Sequence, residues 1–186
     1  SQDCQKMHWP SHKSICQHTA GQISNIKQSA AAGFGDSELQ KCLRKFASAH
    51  NALLGWAGFQ ALKLKRLPAN IRQNALLIEL NHHKRYSESH RRFSIIGTHV
   101  VPRAYVRDPL VISDIQQREE RCRRNGGIGT LVIIIQCGAI SQVMPVEVDP
   151  PSRISWDTRE DWEDVLHHFV ESGRTDFKPI STTSRG

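Results

Sequence analysis

Thr130-Leu-Val-Ile-Ile-Ile-Gln-Cys137 is the stretch that decides the fold. Five consecutive apolar residues, four of them β-branched, suit a pleated surface better than a helix. The run does not alternate with polar residues, so the strand it predicts is buried on both faces. Working outward, Gly138 opens a short turn, and Ser141 to Val148 (SQVMPVEV) returns as a second strand, giving a hairpin. Pro145 cannot donate a ladder hydrogen bond, which places that strand at an edge or a bulge. Upstream, residues 109–124 predict a helix that stops at Asn125-Gly126-Gly127.

Two more strands are expected before that helix. Ala75 to Leu80 (ALLIEL) is short and apolar, and Phe93 to Val101 (FSIIGTHVV) is β-branched and stops at Pro102. The polar loop 81–92 joins them. A helix is expected over 38–62, because Leu39, Leu43, Phe46, His50, Leu53 and Ala57 recur at steps of three and four. Ser37 with Gln40 has the form of a capping box at its start. A last helix over 158–172 takes Asp157 as its N-cap and Gly173 as its stop, with Trp162, Leu166, Phe169 and Val170 on one face. Asp161, Glu163 and Asp164 near its start favour the helix dipole. The order of elements argues an α+β fold, helices packed on a mainly antiparallel sheet. The units are then 1–18, a linker 19–36, the α+β domain 37–173, and a disordered tail 174–186.

Composition narrows the function classes. The 186 residues carry a formal charge of +7. No apolar run approaches the ~18 residues of a membrane span, and the N-terminus has no secretory signal pattern. Five cysteines, at 4, 16, 42, 122 and 137, form no CxxC pair, and an odd count argues against a full set of disulfides. A reducing compartment, nucleus or cytoplasm, fits this usage. Basic residues concentrate in 84–92 and 118–124, the second interrupted by Glu119 and Glu120. Without interleaved aromatics neither is a base-stacking platform, so nucleic acid is not the expected partner.

The chemistry lies in Ser1-Gln-Asp-Cys-Gln-Lys-Met-His-Trp-Pro-Ser-His-Lys-Ser-Ile-Cys16. His12 and Cys16 are four apart, which puts both on one face of a helical turn. Imidazole and thiolate are the usual ligands of structural zinc. The pattern C-Q-x-x-H-W-x-x-H-K-x-x-C resembles the end of a MYND-type zinc finger. Cys4-Gln5, Trp9, His12-Lys13 and Cys16 fall in its register. The resemblance implies two zinc ions in an interleaved cross-brace of seven cysteines and one histidine. Cys4 would then serve the first zinc, and His12 and Cys16 the second. The other five ligands would precede Ser1, so this chain is expected to hold a partial finger that needs them to bind Zn2+. His8 matches a variable position and is not expected to ligate.

The rest of the chain is similar to the region after the finger in fungal MYND proteins. The strings that carry this are Arg72-Gln-Asn-Ala-Leu-Leu-Ile-Glu-Leu80, Arg92-Phe93 with Val100-Val101-Pro102, Gly126-Gly127-Ile128-Gly129, Gln142-Val143-Met144-Pro145-Val146, and Phe169-Val-Glu-Ser-Gly-Arg174. MYND fingers act as protein-interaction modules, often docking proline-containing peptides, and no catalysis is implied. Two other readings were weighed. A divergent SET-type lysine methyltransferase would use Asn81-His82-His83 and Gly33-Phe-Gly35. The first lacks the expected cysteine and the second sits in a linker with no strand before it. A polyanion-binding domain would use the basic loop 84–92.

Single residues have plainer readings. His50 is expected as a hydrogen-bonded core histidine, and Cys42 and Cys137 as packing residues. Cys122 lies between two arginines that could lower its pKa. Gly126 to Gly129 precedes a strand, the reverse of a phosphate loop, and reads as a helix-ending turn. The pair His167-His168 lacks a third ligand.

Overall fold

A computed structural model describes residues 35–179 and 181. Its centre is β3 (Gly129–Cys137), in which only Gln136 is not buried. On one side β3 pairs parallel with β1 (Asn74–His82), and on the other antiparallel with β4 (Ile140–Val148). β1 pairs antiparallel with β2 (Phe93–Pro102), so the strand order is β2-β1-β3-β4. The fold is therefore α+β with a mainly antiparallel sheet, as the order of elements implied. Two parallel neighbours need a long crossover, and the chain from β2 through the helix Pro109–Arg124 supplies it. Pro145 lies opposite Val132 on the edge strand β4, where its missing donor leaves no ladder bond unmade. One residue, Ile96, bulges out of β2 between the Leu80–Ile95 and Glu79–Gly97 pairs, and it is exposed.

Among the described residues five helices cover the sheet: α1 (Gly35–Ala49), α2 (Asn51–Ala61), the single turn α3 (Asn70–Gln73), α4 (Pro109–Arg124) and α5 (Trp162–Ser172). Alternate residues of the strands feed two cores. Leu76, Ile78, Leu80, Leu131, Ile133 and Ile135 face α1, α2 and α5, and pack with Phe46, Phe59 and Phe93. Ala75, Leu77, Val132 and Ile134 face α4 and pack with Val101, Tyr105 and Ile115. No described helix is long and apolar enough to cross a membrane.

Several boundaries differ from expectation. The helix expected over 38–62 is two helices, interrupted at His50 (φ −103°, ψ 22°). The apolar stripe is buried all the same, but α2 is buried nearly all round from Leu53 to Gln60. A straight continuation of α1 could not be covered on so many sides. Gly58 lets α2 lie close on β3, since a Cβ there would come within 3.0 Å of Leu131. Ser37 is inside the first turn of α1 and is not its N-cap. Asp157 does not cap α5, which starts at Trp162. Instead the Gln60 amide donates to the Asp157 carbonyl (2.8 Å) and accepts from the Arg159 N–H (2.9 Å), holding 157–159 outside the helix. Gly173 does end α5, in the left-handed region (φ 68°). The stretch from 174 onward, expected as a disordered tail, packs at its start. The Phe177 ring lies 5.0 Å from Trp56 and 5.3 Å from Phe169, so an apolar side chain is half-buried there. The expected finger 1–18, and the linker 19–36 except its last two residues, lie outside the described residues.

Candidate functional site

The expected zinc ligands Cys4, His12 and Cys16 lie outside the described residues, as does Gly33 of the Gly-x-Gly. Two thiolates and an imidazole are donors of the kind zinc takes, and a tetrahedral site needs four. The body does not make up the count. Among the described residues no group of three or more His, Cys, Asp or Glu could hold a metal ion. Cys42, Cys122 and Cys137 are buried and unbridged, on separate elements. Cys42 accepts a weak hydrogen bond from Arg92 (3.8 Å). The Cys122 thiol lies 3.3 Å from the carbonyl oxygens of both Gly129 and Val148. Burial pushes the Cys137 thiol up, against a hydrogen bond from the His82 backbone that lowers it. The Gly126 to Gly129 segment is the helix-ending turn it was read as. A Cβ on Gly127 would meet Cys122 Sγ at 2.3 Å, so only glycine fits.

Four histidines gather where β1 ends. His50 is 2% exposed, edge-on to Phe46 at 4.9 Å and 6.0 Å from the His90 ring. Neither of its nitrogens has a hydrogen-bond partner among the described residues, contrary to the expectation of a hydrogen-bonded core histidine. Burial, then the positive charge of His90, lowers its pKa from 6.5 to about 4. His82, 5.3 Å from Phe93, is lowered too, by burial first and then by Arg92. His83 lies against Tyr86 at 6.1 Å. The loop that follows uses part of its charge internally. The Arg91 guanidinium stacks 4.1 Å above the Tyr86 ring, and Arg92 donates to the carbonyls of Tyr86 (3.0 Å) and Ser87 (3.2 Å).

The basic stretch 118–124 is neutralised in place. Arg118 pairs with Asp114 (2.9 Å), Arg121 with Glu147, and Arg124 with Glu120 (3.5 Å). Glu119 is ringed by Arg103 (3.6 Å), Arg123 (3.8 Å) and Arg72 (4.0 Å). Arg103 is further held by the carbonyls of Ile71 (2.7 Å) and Thr130 (3.3 Å). His167 lies 3.9 Å from Glu171 on α5.

One cavity was not found by reading the sequence. It has a volume of about 230 Å3 and lies between residues 59–66, at the end of α2, and residues 158–162, at the start of α5. Phe59 and Trp162 give it aromatic walls, and Lys63, Arg66 and Arg159 give it charge. Lys63 is the one non-glycine described residue with positive φ (54°). It is the left-handed stop of α2: the Leu64 N–H donates to the Phe59 carbonyl (3.1 Å) and the Lys63 N–H to the Gln60 carbonyl (3.0 Å), which turns the chain along the cavity. The signal available in the sequence was the run Lys63-Leu64-Lys65-Arg66. It is shorter than the basic stretches that attracted notice, and its second wall lies almost a hundred residues away.

No family model, curated protein or solved structure matches this chain.

Proposed function

We propose that the protein is a MYND-type zinc-finger protein that acts as an interaction module, with residues 35–179 as the body behind the finger. One observation carries this reading: Cys4, His12 and Cys16 stand in the register C-Q-x-x-H-W-x-x-H-K-x-x-C. In support, the three described cysteines are free thiols, as suits the nucleus or cytoplasm. Zinc would fix the finger's fold when the ligands upstream of Ser1 are present, and the folded finger would dock proline-containing peptides. The test is zinc content and peptide binding of the protein extended upstream of Ser1. About two zinc ions per chain are expected, with one lost in Cys16→Ser. An extended protein that holds no zinc would overturn the reading.

A second reading, polyanion binding through the loop 84–92, is favoured by Lys84 and Arg85. Both are exposed, and neither has an ion-pair partner among the described residues. Such binding would weaken steeply with salt. S-adenosylmethionine binding, read by calorimetry, would instead favour the SET-type enzyme.

A further inference from the structure

We infer that the cavity beside Lys63 is a binding site for a small aromatic acid, a single ring carrying one carboxylate. The size comes first. An apolar cavity of about 150 Å3 takes benzene. At about 230 Å3 this one, which opens to solvent, has room for a ring and a substituent. Its walls suit a ring. Phe59 is fully buried and is itself braced against Trp156, ring centroids 5.0 Å apart in a T-shaped arrangement, and Trp162 also lines the cavity.

The walls are also fixed relative to each other. Gln60 bonds both ways to the 157–159 backbone, and the Lys65 ammonium donates to the Trp156 carbonyl (2.8 Å). These bonds join segments more than ninety residues apart, so the cavity is preorganised and costs little ordering on binding.

Charge then selects the substituent. Lys65 is committed to Trp156, and Arg159 to Asp161, with both guanidinium bonds under 3 Å. Lys63 and Arg66 line the cavity without an ion-pair partner among the described residues, and Glu160 lines it too. Lys65 keeps its charge although it donates to a neutral carbonyl, so Lys63, Lys65 and Arg66 outweigh Glu160 and the lining favours an anionic ring over a neutral one. The guanidinium of Arg66 can bind a carboxylate in a two-pronged geometry, and Lys63 supplies a point charge.

The test is an NMR titration of the full chain with benzoate, following the Trp162 indole resonance assigned through Trp162→Phe. A saturable shift is expected, with a dissociation constant on the order of a millimolar for a ligand of about ten heavy atoms. Benzamide, the same shape without charge, and acetate, the charge without a ring, should each bind roughly tenfold more weakly. The paired substitution Lys63→Gln and Arg66→Gln should abolish the preference for benzoate over benzamide. Both side chains are exposed, so that variant keeps its fold and its other tryptophan resonances. Glu160→Gln should tighten benzoate binding. Benzamide binding as well as benzoate, or no saturable shift at Trp162, would overturn the proposal.

Discussion

The two faces of the sheet are built from the same strands and covered differently. Toward α1, α2 and α5 lie the large side chains Phe46, Phe59 and Phe93, all almost wholly buried. Toward α4 the core is smaller, and only Ile115 and Cys122 of that helix are buried. Val106, Val111 and Val143 are only partly buried there, and the margin is polar: Arg103 is bonded to backbone carbonyls, and Tyr105 donates to Gln136 Oε1 at 3.0 Å. The difference teaches that a strand apolar on both sides does not require two equal cores. Three helices seal one face with apolar volume, and one amphipathic helix seals the other with hydrogen-bonded polar groups at its margin.

Neighbouring residues of β3 test that contrast most strongly. Ile133→Ala opens a cavity under three helices that hold one another in place, and should cost about 4 kcal/mol. Ile134→Ala opens one under α4 alone, which can settle inward, and should cost about 1 kcal/mol less. Chemical denaturation of both variants gives the comparison, and equal costs would remove the distinction between the faces.

The larger core also holds the histidine without a described partner, so pH should act through it. Folding lowers the His50 pKa from 6.5 to about 4. As pH falls, the unfolded chain takes up the proton first. The stability that depends on a neutral His50 is therefore complete above pH 6.5 and is lost between there and pH 4, with a ceiling of about 3 kcal/mol. Denaturation midpoints at pH 7 and pH 5 should diverge less in His50→Leu than in the parent chain. A parallel pH dependence would show that other groups govern it.

The smallest effect belongs to the polar margin of the α4 face. Burial pushes the Tyr105 phenol well above its usual range, so it remains a neutral donor at any physiological pH. Tyr105→Phe removes its bond to Gln136 and should cost about 1 kcal/mol in thermal unfolding. No loss at all would mean that water replaces the phenol without penalty.

Legibility in the sequence followed the range of the interactions. The stop at Asn125-Gly126-Gly127, the left-handed Gly173 and the edge placement of Pro145 are local backbone effects, and each was readable from residue type. The kink at His50 was not, because the helical period runs through it unbroken and only burial of α2 on several sides demands a bend. The cap at Asp157 failed for a similar reason. Gln60 competes for that segment from the other end of the domain. Phe177 reads as part of a tail because it follows the helix stop at Gly173 in a mostly polar stretch, while its partners Trp56 and Phe169 lie elsewhere in the chain.

By itself, then, the sequence determined that β3 is a doubly buried strand and that the fold is α+β. β-branched packing and glycine conformations both act over a few residues. Only the tertiary structure decided the parallel pairing of β1 with β3, the unequal cover of the two faces, and the cavity beside Lys63. Each of these depends on which distant segments meet, and that is set by the burial of the whole chain rather than by any one stretch of it.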